Sequence, residues 1–268
     1  WDKRFGGSAH DAAMAIQQTS DGGYVVAGYS SSGADGDKSE ASRGGQDSLD
    51  YWIVKLDGSG SKQWDKRFGG SANDYASAIQ QTSDGGYVVA GTSGSGAEGD
   101  KTEASRGWWA DYWIVKVDGN GNKQWDKCFG GSRYDYASAI QQTSDGGYVV
   151  AGSSYSGADG DKSEASRGGA DYWIVKLDGS GSKQWDKRFG GSAGDSAVAI
   201  QQTSDGGYVV VGTSNSDADG DKTEDSRGGS YLYYKYDYWI VKFDGNGNKQ
   251  WDKRFGGSAH DAAMAIQQ

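Results

Sequence analysis

The residues best suited to chemistry in this chain are acidic and recur in sets. Asp35, Asp37 and Glu40 form the first, and the set returns as Glu98, Asp100 and Glu103, as Asp159, Asp161 and Glu164, and as Asp219, Asp221 and Glu224. Hard oxygen donors at this density suit a calcium ion, so bound Ca2+ is the one cofactor to expect. The spacing is not that of an EF-hand, because no Gly stands at the sixth loop position and no Glu at the twelfth. A structural reading competes. Asp37 with Glu40 three residues on has the grammar of a capping box. Arg43 would then lie near the helical turn's end, with Gly44 as its left-handed cap. The same grammar recurs over 100–107, 161–168 and 221–228.

A second carboxylate series, Asp11, Asp74, Asp135 and Asp195, follows each Gly-Gly-Ser turn. Asp in that position closes loops on backbone N–H groups. Glycosidase chemistry needs two carboxyls in unequal environments, and four near-equal copies offer no such pair. His10 and His260 are one residue seen twice, not a catalytic pair. No nucleophile motif, phosphate loop or zinc spacing is present. The expectation is a protein that is not an enzyme. Cys128, the single cysteine, stands where the other copies carry Arg and has no partner for an internal disulfide.

These carboxylates sit in an internal repeat. Trp-Asp-Lys-x-Phe-Gly-Gly-Ser begins at Trp1, Trp64, Trp125, Trp185 and Trp251, giving copies 1–63, 64–124, 125–184 and 185–250 and a partial copy 251–268, read as one repeat domain. Each copy predicts four strands: in the first, Ala12–Thr19, Tyr24–Tyr29, Asp50–Leu56 and Gln63–Phe68. Ser20-Asp21-Gly22-Gly23 and Asp57-Gly58-Ser59-Gly60 are hairpin turns, so the strands should pair antiparallel. Tyr24-Val25-Val26-Ala27 and Tyr51-Trp52-Ile53-Val54 read as strands covered on both faces. The first strand is rich in Ala, and the Trp-Asp-Lys-Arg-Phe strand alternates in charge as an exposed outer edge would. The fold expected is all-β, tandem four-stranded antiparallel blades of β-propeller type, within a longer array or a filament if copies continue. A β-solenoid with shorter rungs and parallel pairing is the competing architecture.

The run Phe-Gly-Gly-Ser, Ala-Ile-Gln-Gln-Thr-Ser-Asp-Gly-Gly-Tyr-Val-Val-Ala-Gly, Asp-Gly-Asp, Asp-Tyr-Trp-Ile-Val-Lys-Leu-Asp and Lys-x-Trp resembles the β-propeller repeats of bacterial and archaeal secreted and cell-surface proteins. The resemblance covers the whole chain. It implies a propeller fold and an extracellular or cell-surface location, and it implies no reaction.

The copies differ where the second strand leads to the third. Copy two carries Trp108 and Trp109 there, and copy four carries Tyr231, Tyr233, Tyr234 and Tyr236. The loop between one copy's last strand and the next copy's first also varies and holds Tyr134. Both loops fall at one end of an up-and-down blade, where repeat proteins place binding insertions. Exposed, these aromatics would stack on a glycan or contact a cell-surface protein. The plainer alternative is that they pack on neighbouring blades.

Residues 1–18 and 251–268 are identical, including His10 and Met14, which no intervening copy has. A longer array, an idealised repeat, or ends that lend strands to neighbouring chains would each account for this, and self-association through the ends is the partner expectation. Low mean hydropathy of -0.79 is offset by 11 Trp and 17 Tyr, which supply burial in 268 residues. A net charge of -10 disfavours nucleic acid, and no apolar run is long enough to span a bilayer as a helix. Without an initiator Met or a signal-peptide pattern, the chain is expected to be a mature product or a fragment.

Overall fold

The computed structural model describes residues 1–45, 47–227 and 236–267. Its sixteen strands form four sheets. The first blade is β1 (Asp11–Gln18), β2 (Tyr24–Ser30), β3 (Asp50–Leu56) and β4 (Lys62–Phe68). The second is β5 (Asp74–Gln81), β6 (Tyr87–Ser93), β7 (Asp111–Val117) and β8 (Lys123–Phe129). The third is β9 (Asp135–Gln142), β10 (Tyr148–Ser154), β11 (Asp171–Leu177) and β12 (Lys183–Phe189). The fourth is β13 (Asp195–Gln202), β14 (Tyr208–Ser214), β15 (Asp237–Phe243) and β16 (Lys249–Phe255). Each sheet is an antiparallel meander in chain order, and none closes on itself. The expected all-β architecture of propeller-type blades is therefore present, with antiparallel rather than solenoid pairing.

Local chemistry explains the meander. At the β1–β2 turn Gly22 adopts φ 79°, Thr19 N–H donates to Gly23 O at 2.9 Å, and Asp21 Oδ1 accepts from Gly23 N–H at 2.9 Å. The buried ammonium of Lys55 then reaches Asp21 Oδ2 at 2.8 Å, tying this turn to β3. Each first strand carries a bulge, between Ala13 and Ala15 in β1 and Ala76 and Ala78 in β5. A bulge tightens the twist and brings the backbones close. The glycine opposite, Gly28, has no room for a side chain against the Ala12 carbonyl.

The chain divides into two compact units, Trp1–Phe129 and Gly130–Gln268, each holding two blades. In the first unit one face of the first blade (Val25, Ala27, Tyr51, Ile53 and Phe68) packs on one face of the second (Ala76, Ile79, Tyr87, Val89, Trp113, Val115 and Val117). The second unit repeats this with Val149, Ala151, Tyr172, Ile174 and Phe189 against Ala197, Ile200, Tyr208, Val210, Trp239, Val241 and Phe243. We call the first set the Tyr face and the second the Trp face. The buried Tyr51 hydroxyl donates to Trp113 O at 2.9 Å, and Tyr172 to Trp239 O at 3.0 Å.

One expectation fails. The Trp-Asp-Lys-Arg-Phe strand is not an exposed charged edge, since Asp65 and Arg67 are buried. The Asp65 carboxylate accepts from Trp52 Nε1 at 3.1 Å, from Ser39 N–H at 2.8 Å and from Lys62 Nζ at 2.8 Å. Burial opposes its charge, but these donors hold it below the usual carboxylate range. The alternation of charge encodes an internal polar network, which period-two patterning cannot tell from a wet edge.

Candidate functional site

The acidic loops clamp the Gly-Gly-Ser segment that precedes each blade's first strand. Asp35 accepts from the N–H and hydroxyl of Ser8, at 2.8 and 2.7 Å. Asp37 accepts from Gly6 N–H at 3.1 Å. In the second blade Glu98 holds Ser71, while Asp100 accepts from Gly69 N–H at 3.2 Å and pairs with Arg67 and Arg43. Asp159 and Asp161 hold Ser132 and Gly130. Asp219 holds Ser192, and Asp221 holds Gly190 with Arg188 and Arg167. Glu40, Glu103, Glu164 and Glu224 face Lys66, Lys127, Lys187 and Lys253 across to the fourth strand.

The capped helical turn is not what forms. No helix occurs among the described residues, and Asp37 bonds to Gly6 instead of capping its own chain. The left-handed glycines are Gly36, Gly99, Gly160 and Gly220, with φ 58–63°, inside the turn closed by Lys38 N–H on Asp35 O at 3.0 Å. Among the described residues no three carboxylate, His or Cys side chains group as metal ligands would.

Beneath each clamp lies a closed polar cluster. Asp11, Asp74, Asp135 and Asp195 accept from Gly7, Gly70, Gly131 and Gly191 N–H at 2.8–2.9 Å, the loop closure anticipated for them. Lys38, buried, donates to Ser32 O at 2.9 Å and Ser42 Oγ at 2.6 Å, and burial lowers its pKa. Asp50 accepts from Arg43 N–H at 2.8 Å. Burial, with Asp74 nearby, pushes Asp50 up to about 6, and burial beside Asp195 pushes Asp171 up to about 7. Such carboxyls are acid–base candidates by titration, yet Asp50, Asp74 and Asp171 have no exposed surface. Cys128 takes the place of Arg67 in the second blade. It is fully buried, lies 3.8 Å from Asp111 Oδ2, and burial pushes its thiol up to about 12.

The loop aromatics divide. In the first unit Trp108 is 98% exposed and Trp109 46%. In the second, Tyr134 stacks on Tyr136 with centroids 5.4 Å apart and planes 12° apart. Tyr236 is half-buried, edge-on to His260 at 5.1 Å. Tyr231, Tyr233 and Tyr234 lie outside the described residues.

A feature that sequence reasoning missed lies on the outer faces. In the first blade the residues of its own Trp face (Tyr24, Val26, Trp52, Val54 and Leu56) cluster with Phe5. An apolar groove of about 560 Å³ runs along it, from Trp1 and Phe5 past Ala13 and Ile16 to Leu56. Ile16 is 67% exposed, while Ile79 and Ile200 in the same place are 9% and 8% exposed. In the fourth blade the Tyr face is partly exposed among the described residues. Tyr238 is 38% exposed and Phe255 56%, against 0% for Tyr51 and Tyr172 and 6% for Phe68.

No protein-family model matches the chain, and no curated protein matches it in sequence.

Proposed function

We propose that the protein is a non-enzymatic scaffold of the cell surface or extracellular space, whose business is to associate with further copies of itself. One observation carries this reading. Within each unit the Tyr face of one blade packs on the Trp face of the next, a contact between unlike faces that near-identical copies can extend without closing. The acidic loops support it, because their carboxylates are engaged in holding one segment to the next. The resemblance to surface-protein propeller repeats supports the location. Sedimentation velocity over a hundredfold concentration range and negative-stain microscopy test the proposal. Concentration-dependent oligomers or fibres are expected, and a compact monomer throughout would refute it.

A second reading has its own observation. Trp108 stands almost wholly in solvent and Trp109 beside it is half-exposed, which suits stacking on a sugar face or a partner's surface. A glycan array probed with the intact chain and with Trp108→Ala tests it. Binding lost in the variant supports a lectin-like role, and equal binding removes it.

A further inference from the structure

At the seam between the first and second blades, three rings meet where β2 ends. Tyr29 of β2 lies edge-on to Tyr75 of β5, with centroids 5.0 Å apart and planes at 82°. His10, in the loop before β1, meets the same Tyr29 at 5.7 Å and 66°. Tyr29 and Tyr75 are both partly exposed. Across its sheet Tyr29 stands in register between Ala12 and Tyr51, so β1 sets only a methyl group beside it. The seam does not require these rings. In the second unit the same two positions carry Ser153 and Ser196, whose hydroxyls meet at 3.0 Å. That unit nonetheless gathers rings at the same end of its first blade. Tyr136 stands there at Ala12's position, beside Ser153 at Tyr29's. It stacks on Tyr134, the counterpart of His10, at 5.4 Å. Each unit thus sets a strand ring against a loop ring, using different residues. The fourth blade forms with Gly194 and Ser196 at those places, so the fold needs neither ring.

From this we infer that His10, Tyr29 and Tyr75 form a binding site for an uncharged glycan. A pyranose offers an apolar face of C–H groups and a rim of hydroxyls. Tyrosine matches both, with a flat apolar ring and a hydroxyl that donates and accepts. Two such rings at right angles hold the face of a sugar and its edge together, and the His10 imidazole adds a donor or an acceptor beside them. Ser31, whose hydroxyl accepts from His10 N–H at 3.3 Å, and Asn73, which adjoins β5, bring further polar groups to the same end. A net charge of -10 disfavours sugars that carry carboxylate or sulfate, which leaves neutral ones. This inference rests on the glycan reading and adds a site at the blade seam that does not involve Trp108.

The test puts the full chain on an array of neutral glycans and then titrates gluco-, manno- and N-acetylgluco-oligosaccharides by calorimetry, which counts sites per chain. Tyr29→Ser with Tyr75→Ser installs the pair that Ser153 and Ser196 already form in the second unit, so the fold should be kept. One site per chain should be lost, its affinity falling roughly tenfold or more. His10→Asn installs the residue that the second copy carries as Asn73. It leaves the seam intact and should weaken the same site several-fold, which decides the matter if the double variant melts early. Unchanged affinity and site number in both variants would overturn the inference, and a lower melting temperature with unchanged binding would show the rings to be seam packing and overturn it too. If binding were then lost in Trp108→Ala, the glycan reading would stand at the other loop. Binding of no glycan by the wild type would overturn both.

Discussion

The interior Trp face of the second blade and the outer Trp face of the first are built from nearly the same residues, yet one is core and the other is surface. Ile79 and Trp113 are 9% and 0% exposed under the first blade. Ile16 is 67% exposed, and Trp52 is covered by a few residues of unpaired chain. The difference teaches that in this repeat the sheet supplies the shape of the interface and the neighbour supplies its energy. Apolar area counts only when something removes it from water.

Paired substitutions sharpen that contrast. The largest effect expected is at Ile79→Ala, a loss of about 2–5 kcal/mol from the removed methyl groups and the cavity left behind. Ile16→Ala, the same change at the same strand position, should stay within about 0.5 kcal/mol. Urea melts of both variants measure this, and equal losses would break the comparison. Next comes Tyr51→Phe, which deletes a buried hydrogen bond and should cost about 1 kcal/mol, whereas Tyr238→Phe should cost nothing in dilute monomer.

The buried clusters give a pH dependence whose sign follows from their titration. Asp50 and Asp171, raised to about 6 and about 7 from an ordinary 3.8, bind protons more tightly when folded. Their contribution is complete below about pH 4 and is lost as pH rises through 6 to 7. Asp84 and Asp145 go the other way: against the effect of burial, Thr and Lys partners hold both at about 2, so theirs is lost as pH falls below about 4. Melting temperature should therefore peak on the acid side of neutrality, and Asp171→Asn should flatten the fall between about pH 4 and 7. A profile still rising at pH 7, unchanged by Asp171→Asn, would contradict this assignment.

The smallest effects concern groups sealed or already engaged. Cys128, buried with a raised pKa, should react with a thiol reagent only on unfolding. The clamp carboxylates hold N–H groups and cations, so a chelator should leave the melting temperature where it was. A rise on adding Ca2+ would instead place an ion in the loops, since a ligand bound only by the folded state must stabilise it.

Much of the fold was legible because its instructions are local. Asp-Gly turns, β-branched runs and the repeat period specify strand, hairpin and order without reference to anything distant. Asp11, Asp74, Asp135 and Asp195 were readable for the same reason, each closing a loop four residues away. The roles of Asp37 and Asp65 were not. Asp37 could cap its own chain or bond to Gly6 31 residues away, and Asp65 could face water or Trp52. Only the approach of the partner segment in three dimensions decides between them. The open faces depended on tertiary structure most of all. Ile16 and Ile79 share the local sequence Ala-Ile-Gln-Gln, and what separates their exposures of 67% and 9% is what packs on each in three dimensions, which no single copy specifies.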